Sequence, residues 1–236
     1  MARSHRSLWQ RVVRVGAVSA LCLSTVTLSG SPAQAGSAWG KPTRHHENAR
    51  QEPSEKQVQQ AGLARWTTRR PLGTGVDPSD PEQLLRWVED NRMSVRLPKG
   101  LPGMCYLTAY SALRTLGGYA TVPLVPLGAT RMEYEDIATQ EGRTARLGRP
   151  VIADSSIQQI AKRLSREKRG TMYEIRAWDE SGGHAALAYR DPRSGDVVFA
   201  DPENVFHSDA AHMTRFWSEM GYSHFAAWRF GTMARR

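Results

Sequence analysis

The sequence predicts an α+β domain whose helices lead into an antiparallel sheet, and three observations carry that expectation. Apolar residues recur at three- and four-residue spacing in two stretches between 80 and 118, and again between 155 and 165. From Thr171 onward the period changes to two, in short runs separated by turn-forming clusters. The helical patterns precede the strand patterns instead of alternating with them, which is an α+β order.

The first 35 of the 236 residues are set aside before the fold is considered. Arg3, Arg6, Arg11 and Arg14 make a positive segment without an acid, Val15 to Leu28 is apolar, and Ala33-Gln34-Ala35 reads as a cleavage site before Gly36. This is an export signal, too short in its apolar run for a transmembrane helix. The expected location is therefore exported, periplasmic or secreted, with no stable membrane insertion after the signal is removed. The formal charge of +9 includes those four arginines, so +5 remains on the 201 residues that follow. That charge is spread along the chain and is no footprint for nucleic acid.

Residues 36–62 are polar and punctuated, with Trp39 and Val58 as the few large apolar residues. Residues 36–76 together are expected to be a polar linker or pro-segment, with Trp66 and Leu72 as docking points toward its end. Deleting this segment is expected to leave the melting temperature nearly unchanged. The remaining residues, 77–236, form the expected domain, long enough for one proper core.

Asp80-Pro81-Glu82 is a helix start, with Asp80 as N-cap and Pro81 in the first turn. Leu84, Leu85 and Val88 supply the apolar face as far as Asn91. After the Leu101-Pro102-Gly103 turn, Tyr106, Ala109, Tyr110, Leu113 and Leu116 mark a second helix closed by Gly117-Gly118. Pro123 and Pro126 exclude a central strand from Tyr119–Thr130, leaving a loop or an edge. Arg131–Arg149 is charged and poorly periodic. A third helix is capped by Asp154 or Ser155 and buries Ile157, Ile160, Ala161 and Leu164. Thr171–Trp178, His184–Arg190 and Asp196–Ala200 are strands of a meander. Ser208–Met220 is a helix with Met213, Phe216, Trp217 and Met220 inward, and Ser223–Phe230 is a closing strand.

The chain has two cysteines, and Cys22 falls in the export signal, so Cys105 is the one thiol of the mature protein. An odd cysteine in an exported protein is a reactive thiol, an intermolecular link or a buried bystander. Cys105 lies in the first turn of its helix, near the positive end of the dipole, where a nucleophilic thiolate is favoured. A cysteine nucleophile needs a base, and the base needs a group that orients it. His184 begins one strand after Gly182-Gly183, and Asp201 ends the next strand. If those strands pair as a hairpin, His184 and Asp201 meet at one edge of the sheet. Asn204 is an alternative orienting residue, and Trp178 a candidate for lining the cleft.

With these residues in view, GMCYLTAYSALRTLGG followed by SGGHAALAYRDPRSGDVVFADPENVF resembles the papain-like cysteine peptidase superfamily in its compact bacterial branches. The pattern is similar to YopT-type effector proteases, bacteriocin leader-processing peptidases and papain-fold glutamine deamidase toxins. The order Cys, His, Asp, with separations of 79 and 17 residues, suits those branches. The resemblance covers roughly residues 97–230. It implies a papain-like fold, with the nucleophile helix packed on a C-terminal antiparallel sheet. It also implies Cys105 as nucleophile, His184 as general base and acid, and Asp201 as the residue orienting the imidazole. One departure is that no Gln or Asn occurs between Arg92 and Met104 to complete an oxyanion hole, and Asn91 is distant in sequence.

The expected function is an exported cysteine hydrolase that cleaves peptide bonds in protein or peptide substrates through a thioester, acting as a monomer, with a virulence-effector role among the implications. The same triad suits a protein glutamine deamidase. A non-catalytic papain-fold binding module is a third reading, favoured by the missing oxyanion side chain. No cofactor and no metal are expected. His45-His46 is a solvated pair, and His207, His212 and His224 match no standard ligand spacing.

Overall fold

The structure, a computed structural model, describes residues 63, 65–92, 104–180, 182–204 and 206–234. The expected export signal, residues 36–62 and the turn expected at Leu101-Pro102-Gly103 lie outside the described residues.

The fold is α+β, and its helices flank the larger of two antiparallel sheets. Strand β1 (Thr67–Arg69) pairs with β2 (Thr121–Pro123) in a small two-stranded sheet. Helix α1 (Pro81–Arg92) starts where the sequence indicates, and Asp80 Oδ1 accepts the Glu82 and Gln83 amides at 2.9 and 3.2 Å. Helix α2 (Cys105–Leu116) ends as Gly118 takes φ of 96°, a left-handed turn that a side chain would strain. The main sheet has six antiparallel strands in the order β3-β8-β4-β5-β6-β7. These are β3 (Ile152–Ser155), β4 (Thr171–Trp178), β5 (Gly183–Arg190), β6 (Val197–Asp201), β7 (Phe206–Ser208) and β8 (His224–Thr232). The four strands read from the sequence are therefore present, with ends moved by no more than two residues.

Alternation along the strands divides the core. Tyr173, Ile175, Ala177, Ala186, Ala188 and Phe199 point to the face covered by α5 (Ile157–Leu164) and α6 (Ala210–Glu219). Met172, Leu187, Tyr189 and Ala200 point to the opposite face, under α1 and α2. Helix α2 thus lies against β5 and α1, on the reverse side of the sheet from α6.

Several expectations are corrected. The linker does not extend to residue 76, because Leu63 and Trp66 are only 5 % and 2 % exposed and Leu72 and Val76 pack on the α1–α2 core. Trp66 also meets the Tyr134 ring edge-on at 5.6 Å. Residues 131–149 are ordered into two helices, α3 (Arg131–Ala138) and α4 (Gln140–Leu147). A reciprocal Thr130–Glu133 capping box begins the first, and Thr139 caps the second. Helix α5 is capped by Ser156, since Asp154 and Ser155 are engaged in β3. Met220 is 51 % exposed, so it is not part of the inward face of α6, where Met213 and Trp217 are buried.

The packing of residues 63–76 gives a testable boundary. Deletion through residue 62 is expected to leave the melting temperature nearly unchanged. Deletion through 76 removes Trp66, and loss of a buried tryptophan alone costs about 3–5 kcal/mol, or upwards of about 6 °C for a domain of this size. Equal thermal melts for the two truncations would reject this boundary.

Candidate active site

Cys105 is the first residue of α2, buried and without a disulfide partner. The amphipathic turn that follows it anchors the thiol, because Tyr106, Leu107 and Ala109 are fully buried and pack against Tyr134 and Ala185. His184 stands at the start of β5 and is 8 % exposed. Asp201 stands at the end of β6 and is fully buried. The β5–β6 pairing runs Leu187 opposite Ala200 to Arg190 opposite Val197, which brings the beginning of one strand beside the end of the other. His184 Nε2 then reaches Asp201 Oδ2 at 2.6 Å. A carboxylate only accepts, so Nε2 carries the proton of this bond and Nδ1 is the nitrogen that faces the thiol. Cys105 Sγ, a ring nitrogen of His184 and a carboxylate oxygen of Glu203 all lie within 4.8 Å of one another.

The structure therefore brings together the three residues singled out from the sequence. It also adds several that sequence reasoning missed. Glu203 Oε2 lies 3.7 Å from His184 Nδ1, and the Glu203 carboxylate accepts the backbone N–H of Met104, immediately before the cysteine. Continuing the β5–β6 register by three residues sets position 203 opposite 184, so the strand pairing held a signal for it. Arg92 donates to the Glu203 carbonyl at 2.9 Å and grips Glu89 through two nitrogens, tying the site loop to α1. Tyr222 lies parallel to the His184 ring, with centroids 6.2 Å apart, and Trp217 meets it edge-on at 6.3 Å. These contacts limit rotation of the imidazole.

Asn204 does not replace Asp201. It donates to Asp201 Oδ2 at 2.8 Å, and the Glu203 amide donates to Oδ1 at 3.1 Å, so the aspartate is itself held in place. Trp178 stacks on His224 and clusters with Ala226 and Trp228. Asn91 is occupied elsewhere, bonded to the Trp87 carbonyl and to Arg70. His224 pairs with Asp154 at 2.7 Å. Among the described residues, the group spaced to hold a metal is Cys105, His184 and Glu203, rather than the three later histidines.

Burial pulls the His184 imidazolium toward neutrality, but the charge and hydrogen bond of Asp201, then the bond with Cys105, outweigh it and hold the ring well above its ordinary 6.5. Burial likewise opposes ionisation of Asp201, yet His184, Asn204 and the Glu203 amide keep that carboxyl below 3.8. Burial, reinforced by the charge of Asp201, raises Glu203 against the opposing pull of His184, Arg92 and the Met104 amide. The linkage to stability follows from the signs. The raised histidine stabilises the fold fully below about pH 6.5 and loses that contribution as pH rises through its folded value. The lowered aspartate stabilises above about 3.8 and loses its contribution as pH falls through its folded value. The denaturant midpoint of the wild type minus that of His184→Ala is expected to be largest between pH 4 and 6.5 and to shrink above neutrality. A difference that stays flat from pH 5 to 9 would show that the pair is not ionised as described.

No family model matches the chain, and no curated protein matches it. Among solved structures, the chain is similar to a variant of the Salmonella effector SpvD, with a TM-score of 0.44 and 12 % sequence identity over 78 % of this chain and 95 % of that one.

Proposed function

We propose that this chain is an exported cysteine hydrolase of papain-like arrangement that opens carboxamide bonds in protein substrates. The observation that carries the reading is the 2.6 Å contact of His184 Nε2 with buried Asp201, made beside a free cysteine at a helix start. In the proposed reaction, His184 Nδ1 holds the proton drawn from the Cys105 thiol, and the thiolate Sγ attacks the amide carbonyl. The tetrahedral intermediate collapses to a thioester, and the same proton passes to the departing nitrogen. Water, deprotonated by His184, then attacks the thioester, and the proton returns to Sγ as the acid leaves. Asp201 keeps its carboxylate toward Nε2–H and stabilises the imidazolium at each stage without itself being protonated. The backbone N–H of Cys105, at the start of α2, is one donor for the developing oxyanion.

Peptide-bond cleavage is the leading reaction, and hydrolysis of a glutamine side-chain amide uses the same thioester. Labelling the mature protein with a thiol electrophile that mimics a peptide or glutamine amide tests the reading, with the modified residue located by mass spectrometry. Rapid labelling confined to Cys105 supports it and licenses a substrate search, in which new termini identify a peptidase and deamidated glutamines a deamidase. Labelling no faster than that of a small exposed thiol would remove the hydrolase reading.

A further inference from the structure

We propose that Cys105, His184 and Glu203 also form a Zn²⁺-binding site, which closes the nucleophile when the metal is present. Two distances lead there. The donor atoms of these residues already lie within 4.8 Å of one another, and His184 Nδ1 and Glu203 Oε2 are 3.7 Å apart. Bond lengths of about 2.3 Å to sulfur and 2.0–2.1 Å to nitrogen and oxygen place tetrahedral zinc donors roughly 3.3–3.6 Å from each other. A contraction of about an ångström therefore completes three corners, and the fourth remains for water.

The surroundings of the ligands are equally specific. A metal-bound histidine donates its other ring N–H to a carboxylate, which fixes the tautomer and aims the free nitrogen. Asp201 does this at His184 Nε2, leaving Nδ1 as the ligand. Glu203 is divided in a comparable way: Oε1 faces Arg92 at 3.9 Å, and Oε2 faces His184. The thiolate and carboxylate together neutralise a divalent charge in a largely buried place, and coordination releases to solvent the proton that the thiol and imidazole share. Thiolate, imidazole and carboxylate form a donor set suited to zinc, and unsuited to magnesium or calcium, which take oxygen.

Glu203 has no part in the hydrolytic steps proposed above, and coordination requires only the three donors, so the metal site and the hydrolase reading fail separately. The full-length protein is titrated with Zn²⁺ against a chromophoric chelator and, in parallel, with Co²⁺ as a spectroscopic substitute. The wild type is expected to show a thiolate-to-cobalt charge-transfer band with visible bands of a tetrahedral ion, and zinc is expected to block alkylation of Cys105. Cys105→Ser is expected to abolish the charge-transfer band. Glu203→Gln is expected to weaken zinc at least about tenfold, the lower range even for losing a supporting group. A joint His45→Ala and His46→Ala variant is expected to bind zinc like the wild type. Absence of the cobalt band in the wild type would overturn the site whether or not any variant folds. Zinc affinity unmoved by Glu203→Gln, or lost with the histidine pair, would overturn it as well. Slow electrophile labelling beside intact zinc binding would sink the hydrolase reading and leave the metal site standing.

Discussion

His184→Ala is expected to slow acylation of Cys105 by an amide-mimicking electrophile by at least about a hundredfold, the lower range for removing a positioned acid–base group. The imidazole is restrained on several sides: Asp201 holds Nε2, Tyr222 lies along its face, and Trp217 stands against its edge. Such a ring needs no search for the geometry in which Nδ1 accepts the thiol proton, and its loss removes both acceptor and orientation together. Asp201→Ala is expected to act in the same direction through the ring, by freeing its tautomer and withdrawing the charge that keeps the imidazolium. The measurement is the second-order labelling rate of each variant, compared with its thermal melt, so that a folding defect is seen as such. Equal, slow rates in wild type, His184→Ala and Asp201→Ala would mean that Cys105 is an ordinary thiol, and the chain would then be better studied as a binding module.

The largest expected effect on stability lies away from the cysteine. Glu174, on β4, is fully buried and holds two arginines of α4, Arg143 through its Nε and Arg146 through Nη2 at 3.0 Å. Arg143 is fully buried as well, and both guanidinium groups lie over the Tyr106 ring, at 4.6 and 5.0 Å from its centre. Glu174→Ala would leave two buried or nearly buried cations without their carboxylate. Breaking a buried pair by removing one partner costs about 3–5 kcal/mol, which for a domain of this size corresponds to a fall of roughly 6–20 °C in melting temperature. Because Tyr106 follows Cys105 directly, the variant is also expected to label more slowly at Cys105 near its melt. A drop of less than about 2 °C would show that water reaches these arginines and that the pair contributes no more than a surface one.

The same region explains why part of the fold was hidden in the sequence. Arg131–Arg149 looks irregular because its two helices are only eight residues each and the second turns arginines, not apolar residues, toward the sheet. Arg143 and Arg146 read as solvated until Glu174 is found facing them across a strand 28 residues or more away. The Thr130–Glu133 box that marks one helix start was passed over in the sequence for want of an apolar run behind it. Residues 63–76 were misassigned for a related reason. A three-residue strand such as β1 has no periodicity of its own, and its register exists only once β2 lies beside it.

By itself the sequence determined the α+β class, the strands of the meander, the helix that begins at Cys105, and the placing of His184 and Asp201 at one sheet edge. Each of these rests on local periodicity or on a hairpin short enough for one turn to set its register. Only the tertiary structure decided which face of the sheet each helix covers, that Glu203 and Tyr222 stand beside the imidazole with Arg92 holding Glu203, and that α4 buries its arginines on β4. Those contacts join residues distant along the chain through single side chains. No periodic pattern records such pairs, because each becomes favourable only after the sheet has excluded water from both partners.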